Sequence, residues 1–328
     1  MSLATLQLIE NVRPHPNADR LDLVNILGYQ CVTEKGLYQD GDQVIYIKTD
    51  TLLPEAEWSE GYRKYSPKRV KAVKLRGEWS EGIIVPTYAI NHILPELLVL
   101  GEDYAEILGV TKWEAPAPQD LNAKRSTLPY DIGKTDETRW EEKVGKLPLD
   151  EIVDITFKVD GSSASYYYHL GDKQFGVLSR TQELKPECSN NYTNAATKLF
   201  IEEKLKTFCE KVGKSLVIRG EVYGNGIQGS ANNPHSKLPL GWAMFSVYDI
   251  EERRYYRKGE PFYFVNVARE LALPHVAIVE ENVALTMDLI LKYSSGINKI
   301  DGKPFEGVVV NHSKGSFKII NKDYDASK

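Results

Sequence analysis

Histidine, methionine and cysteine are scarce, with six, three and three among 328 residues. Cys31, Cys188 and Cys209 are widely spaced and have no histidines at ligand spacing. That argues against a disulfide framework or a structural zinc site and fits a reducing compartment. No apolar run reaches membrane-spanning length, and the amino terminus has no basic stretch leading into a long apolar one. These absences predict a cytoplasmic protein, with the nucleus equally open. An excess of positive charge is missing too. A net charge of −5 provides no global basic field, so any contact with nucleic acid must come from a local patch. Repeats and low-complexity tracts are also absent.

What is present is an ordinary globular composition, 42% hydrophobic and 27% charged, in a chain long enough for two domains. The first 112 residues read as short strands divided by turns, at 4–12, 21–27, 29–33, 43–48 and 82–86, which predicts a small β-barrel or sandwich. The run His15-Pro16-Asn17-Ala18-Asp19-Arg20-Leu21 is similar to the first connection of tRNA-binding OB-fold modules attached to some synthetases, so the barrel is expected to be OB-like. Residues 63–76 hold seven basic residues, Arg63, Lys64, Lys68, Arg69, Lys71, Lys74 and Arg76, and no acidic one. In an acidic protein that run is suited to tracking phosphates, with Tyr65 available to stack. A proline-broken, then polar segment at 113–135 reads as a linker.

From 136 to 328 the pattern predicts an α+β domain. A helix is expected over 194–212, capped by Asn194, with Leu205, Phe208, Cys209 and Val212 on its apolar face and Gly213 as its stop. A second helix is expected within 284–293. Strands are expected at 151–157, 166–168, 175–180, 216–223, 243–250, 306–311 and 316–321.

Chemistry-bearing residues stand beside these strands at regular places. Lys158 ends the strand at 151–157 and is followed by Asp160-Gly161 as turn chemistry. An amine held at such a point can act as a covalent nucleophile. Arg180 closes a later strand. Glu221 lies on a strand flanked by Gly220 and Gly224, where a ligand could approach the backbone closely. Phe245 and Tyr248 make an aromatic strand that could stack a base. Glu306 stands beside Gly307 at an apolar strand, and Lys318 lies near the carboxy terminus. Charges next to buried strands are costly unless paired. Three acids and two lysines in one cleft would suit a metal-assisted phosphate site.

This ordered set resembles the covalent nucleotidyltransferase superfamily of ATP-dependent ligases and capping enzymes. Lys158-Val159-Asp160-Gly161 is similar to its nucleophile motif, and Gly220-Glu221-Val222-Tyr223-Gly224 to its glutamate strand. Tyr248-Asp249 is similar to its aromatic strand, Glu306-Gly307-Val308-Val309 to its fourth motif, and Lys318 to its last. Within the superfamily the chain looks most like RNA ligases with an OB domain ahead of the catalytic one. Too few residues follow Asn321 for the trailing OB domain of capping enzymes and most DNA ligases. One departure is Ile320, where many relatives have a second lysine; Lys314 or Lys322 are the substitutes at hand.

The resemblance implies a fold and a reaction. The fold is a domain of antiparallel sheets with helices, ATP-grasp-like in arrangement, behind the OB domain. Lys158 would take AMP from ATP with release of pyrophosphate, pass it to the 5′-phosphate of an RNA, and a 3′-OH would then expel it. Nicked duplexes with RNA on the 3′-OH side are the implied substrate, and a monomer is expected. Asp160, Glu221 and Glu306 are the candidates to hold Mg²⁺ or Mn²⁺ through water. Lys318 would meet the α-phosphate, Arg180 the ribose or the incoming end, and Tyr248, or else Phe245, the adenine. A small ATP-dependent DNA ligase and a non-catalytic OB-type RNA-binding protein are the competing readings.

Overall fold

The structure is a computed structural model that describes residues 2–113, 123–134, 136–227, 233–296, 299–300 and 303–327. The chain divides into two compact units, Met1–Ala117 with Trp140–Leu147, and Pro118–Arg139 with Pro148–Lys328. Much of the segment read as a linker, 114–122 and 135, lies outside the described residues.

In the first unit, alternation of apolar and polar residues builds two three-stranded antiparallel sheets. One has the order Ala4–Leu8, Gln43–Ile47, Ile83–Pro86; the other runs Glu10–Pro14, Leu21–Ile26, Tyr29–Glu34. The single strand expected over 4–12 is thus two. The chain changes sheets at Ile9, and Asn11 takes a positive φ of 52° with a register shift beside it. A hairpin, Ala72–Leu75 with Glu78–Glu81, is stitched to the second sheet. The Glu81 carbonyl accepts from the Tyr46 hydroxyl (2.9 Å) and the Cys31 thiol (3.0 Å), and Ser80 Oγ accepts from Val32 N at 3.1 Å. The stretch Trp140–Lys146 belongs to this unit: Gly28 N donates to Glu141 O at 3.0 Å, and Lys48 pairs with Glu142 at 3.0 Å.

The second unit has a seven-stranded and a four-stranded antiparallel sheet. The larger has the order Ala123–Arg125, Glu183–Leu184, Gln174–Leu178, Ser162–His169, Leu216–Tyr223, Gly241–Asp249, Arg254–Tyr255. The smaller has the order Ile278–Ala284, Ile152–Phe157, Gly307–His312, Gly315–Ile320. Strand period explains an unusual run of three tyrosines. Tyr166 and Tyr168 enter the core under the helices, while Tyr167 points into a separate cluster with Val217, Leu178 and Tyr248.

The helix expected over 194–212 is two helices, Asn191–Lys198 and Ile201–Val212. Phe200, in the left-handed region at φ 54°, separates them. Asn190, not Asn194, caps the first. Its side chain accepts from Tyr192 N and Thr193 N, while Thr193 closes the capping box. Cys209 is fully buried with Leu205 and Phe208, as the apolar stripe requires. The other expected helix is Met287–Ser294. A helix at Phe264–Glu270 and the strand Ile278–Ala284 were not foreseen; each is short, and neither shows a clean period. Among the described residues, no helix is long and apolar enough to cross a membrane.

Candidate active site

Lys158 stands where the chain leaves one sheet of the second unit for the other. Ile152–Phe157 is an inner strand of the smaller sheet, and Ser162–His169 an inner strand of the larger. The four residues between them carry Lys158 and Asp160. The Lys158 backbone N–H donates to Gly307 O at 2.9 Å, tying the turn to the strand that starts beside Glu306. Lys158 Nζ then meets Glu306 Oε2 at 2.9 Å, with the lysine side chain 27% exposed and the glutamate 15%. Ser163 is paired with Glu221 across the larger sheet, so Glu221 arrives from the other side. Residues far apart in the chain are therefore brought together by two strand registers.

Charge dominates this pocket. Burial pushes the Lys158 amine down, but Glu306, Glu221 and Asp160 outweigh it and the net direction is up. Burial raises Glu221 to about 8, against the opposing pull of Lys158. The three carboxylates thus favour the ammonium form of Lys158, while burial and the neighbouring acids favour the protonated form of Glu221.

The second lysine sits in a different balance. Lys318 is held mainly by burial below its ordinary value, with Lys158 and Arg139 adding to that direction and Asp136 opposing it. Asp136 Oδ1 accepts from Lys318 Nζ at 3.2 Å, and its Oδ2 from Arg180 Nη2 at 3.3 Å. One carboxylate therefore bridges the two cations assigned to phosphate contacts. The segment after it follows Lys318 closely. Lys318 N donates to Thr138 O at 2.9 Å, and Arg139 forms a parallel bridge with Lys318.

Tyr248 and the glycines beside Glu221 have packing roles that the sequence did not show. Tyr248 is 7% exposed and packs edge-on against Tyr255 at 5.0 Å, with the Arg219 guanidinium 5.5 Å from its ring. It lies opposite Val217, whereas Glu221 lies opposite Ala243. Those four residues of strand separate them by about 13 Å at ~3.3 Å per residue. Core packing, not an open face, is what the ring has; Phe245 is the less buried aromatic of that strand. The glycines flanking Glu221 also serve the protein itself. A Cβ on Gly220 would lie 2.3 Å from the Trp242 ring, and Gly224, at φ 121°, would bring one within 2.6 Å of Pro239 O.

Several polar residues at the site carried no sequence signal. Asp136 and Arg139 lie in a stretch without period. Asn233, fully buried, donates from Nδ2 to Asp160 O at 3.0 Å. His235 stacks edge-on against Tyr223 at 5.6 Å, and burial lowers its pKa against the pull of Asp160 and Glu306. Tyr324 donates its hydroxyl to Asp160 Oδ2. None is near Lys158 in sequence, and only the fold could assemble them.

The basic stretch of the first unit is only partly available for phosphates. Arg69 pairs with Asp50 at 2.6 Å, lies 4.3 Å from the Trp113 ring, and its side chain is 10% exposed. Its guanidinium is thus engaged with Asp50 and Trp113 within the first unit. Lys64 lies 4.0 Å from Glu60, and Arg63 3.9 Å from Glu55. Lys68, Lys74 and Arg76 are exposed, and Lys71 partly so. The hairpin that carries Lys74 and Arg76 is gripped by the His15–Asn17 turn. His15 Nε2 is 3.0 Å from Leu75 O, and Asn17 Nδ2 donates to Arg76 O at 3.0 Å.

The donor set suits a nucleotide and a hydrated cation. Lys318, Arg180 and Arg139 can meet phosphate oxygens, and three carboxylates gather around Lys158. No group of three or more His, Cys, Asp or Glu among the described residues is arranged to grip an ion directly. A cation that keeps most of its water, held by one or two of the carboxylates, fits this geometry.

A family model described as RNA ligase matches residues 151–324, a little over half of the chain, and an OB-fold domain model matches residues 3–87. Among solved structures, an RNA ligase of Naegleria gruberi, a variant with ATP and Mn, is 26% identical with a TM-score of 0.84, covering 99% of each chain. The same ligase with PPi is 26% identical at a TM-score of 0.83, covering 99% of this chain and 98% of that one. Another variant of it, with AMP and Mn, is 25% identical at 0.84 over the same shares. No curated protein matches the sequence.

Proposed function

The chain belongs to the RNA ligase family, with an OB-fold domain ahead of the ligase domain, and on that footing we propose that it seals RNA ends with ATP through a lysyl-AMP. The observation that carries the proposal is the contact of Lys158 Nζ with Glu306 beside Glu221 and Asp160, with Lys318 close enough to feel the Lys158 charge. The relative with ATP and Mn, and the same ligase with PPi, support ATP as the donor and pyrophosphate as the product.

In the first step the free Lys158 amine attacks the α-phosphorus. A P–N bond forms, the P–O bond to the pyrophosphate breaks, and the lost ammonium proton goes to solvent or a phosphate oxygen. Lys318 and Arg180 give up Asp136 for phosphate oxygens, which keeps both cations paired throughout. A divalent cation, when bound, screens the carboxylates and draws charge from the phosphates, which favours the free amine. Asp160, Glu221 and Glu306 would hold it. Phe245 is our choice for contact with the adenine. In the second step a 5′-phosphate oxygen of RNA attacks the same phosphorus and lysine leaves. In the third, a 3′-OH attacks the RNA phosphate and AMP leaves. Each step is an in-line displacement, so positioning and charge neutralisation supply the catalysis. A nicked duplex as substrate, action as a monomer, a cytoplasmic location, and RNA contact by Lys68, Lys71, Lys74 and Arg76 of residues 1–112 complete the proposal.

The test is incubation with ATP radiolabelled at the α-phosphate and a divalent cation, beside Lys158→Ala. Label retained on the denatured wild type alone, and lost to nicked RNA, is expected. An unlabelled wild type, shown by mass to be free of AMP, would overturn the reading.

A further inference from the structure

Asp160 is 5% exposed and Tyr324, which donates its hydroxyl to Asp160 Oδ2, is 1% exposed. A buried phenol needs a polar partner, and a core residue would find a backbone carbonyl sufficient. Here the partner is the carboxylate two residues after Lys158, reached across 164 positions of chain.

The element bearing Tyr324 is itself registered to the site. Tyr324 stands in the first turn of the helix Lys322–Ser327, which follows the strand of Lys318 directly. Asn321, fully buried, is the fastener. Its backbone N–H donates to Glu306 O at 2.9 Å and its Nδ2 to Phe305 O at 3.1 Å. Its Oδ1 accepts from Asp323 N at 3.2 Å, and its carbonyl from Tyr324 N at 3.0 Å. The turn is therefore clamped to the backbone of Glu306 at one end and to the Asp160 carboxylate at the other. Asn233 holds the Asp160 carbonyl from a third direction.

We infer that Tyr324 is a positioning residue for lysine adenylylation, fixing the plane of the Asp160 carboxylate beside Lys158. Without the phenol, Oδ2 loses the donor that fixes it and the carboxylate can turn further about its Cβ–Cγ bond, which shifts its charge relative to Lys158 and the phosphates. With Oδ2 held by the phenol, the second oxygen keeps one direction. The inference rests on the lysyl-AMP reading and assigns to it a residue outside the motifs.

The experiment is a double-mutant cycle of Tyr324→Phe and Asp160→Ala, read as the rate of lysyl-AMP formation, with thermal melting of each variant alongside. Phenylalanine keeps the packed ring and removes only the donor. We expect Tyr324→Phe to slow adenylylation by about tenfold, the loss of one hydrogen bond to a charged group, with melting close to wild type. In the Asp160→Ala background, where no acceptor is left, the same change has little further effect. A wild-type rate in Tyr324→Phe, or the same fold loss in both backgrounds, overturns the inference. Should the phenylalanine variant melt early, the cycle is read at a temperature below the melting of all four proteins, where the same fold loss in both backgrounds again overturns the inference. An unlabelled wild type would instead sink the ligase reading itself.

Discussion

Lys158 faces Glu306, Glu221 and Asp160 across a pocket that favours its charged form, so its nucleophilicity depends on what enters. Removing the direct partner tests this. In Glu306→Gln the amine loses its hydrogen-bonded carboxylate and its pKa falls, so an acylating reagent at pH 8 should modify Lys158 faster, by several fold, as read by mass spectrometry. Glu221 makes a different prediction. Its proton is held up to about 8 in the fold, against an ordinary 4.5. Across that window the folded state binds more protons than the unfolded chain, so this residue's contribution to stability is complete below pH 4.5 and is lost as pH rises toward 8. One proton limits the slope to about 1.4 kcal/mol per pH unit. Glu221→Gln should flatten the stability profile there, as measured by denaturant midpoints at successive pH values; an unchanged difference between the two proteins across the window would refute it.

At the scale of elements, local strain and close approach decide more than propensity does. Phe200 separates two helices in a left-handed conformation, with its side chain 66% exposed. Phe200→Gly should relieve that strain and stabilise the protein by up to about 1 kcal/mol, since the exposed ring contributes little burial. Gly220→Ala should do the reverse. The added methyl meets the Trp242 ring and Ala243 O at 2.3 and 2.5 Å, so the strand carrying Glu221 must shift from its neighbour. A loss of about 2 kcal/mol or more is expected, or failure to fold, as read by thermal melting. These glycines look functional in sequence because they flank a charged residue. The cause at Gly220 is a tryptophan one strand away, and at Gly224 a positive φ beside the Pro239 carbonyl.

For the whole molecule, an acidic chain that binds RNA must do so through a few exposed cations. Lys68 and Lys74 are exposed, while Arg69 is committed to Asp50 and Trp113. Lys68→Glu with Lys74→Glu should weaken RNA binding and lower the salt slope by about 2, at ~0.9 per phosphate contact, while lysyl-AMP formation stays as in wild type. Arg69→Ala should act on stability instead, costing about 1 kcal/mol through the lost Asp50 ion pair and Trp113 ring contact. Equal effects of all three residues on RNA binding would overturn this division.

What the sequence alone determined was whatever is written in short range: strand periods, turn residues, and the order of charged positions beside apolar runs. Glu221, Glu306 and Lys318 stood out as candidates for that reason, since a charge next to a buried strand is a local anomaly, and Lys158 because it ends a strand before turn residues. Tertiary structure alone decided which charges are already spent and which partners arrive from elsewhere. Arg69 looks like any other cation of its run until Asp50 and Trp113 are seen against it. Asp136 across Lys318 and Arg180, and Tyr324 on Asp160, are pairings over long stretches of chain. Hydrogen bonds of that kind leave no period in the sequence. They exist only once the registers of two sheets have brought their donors and acceptors within reach.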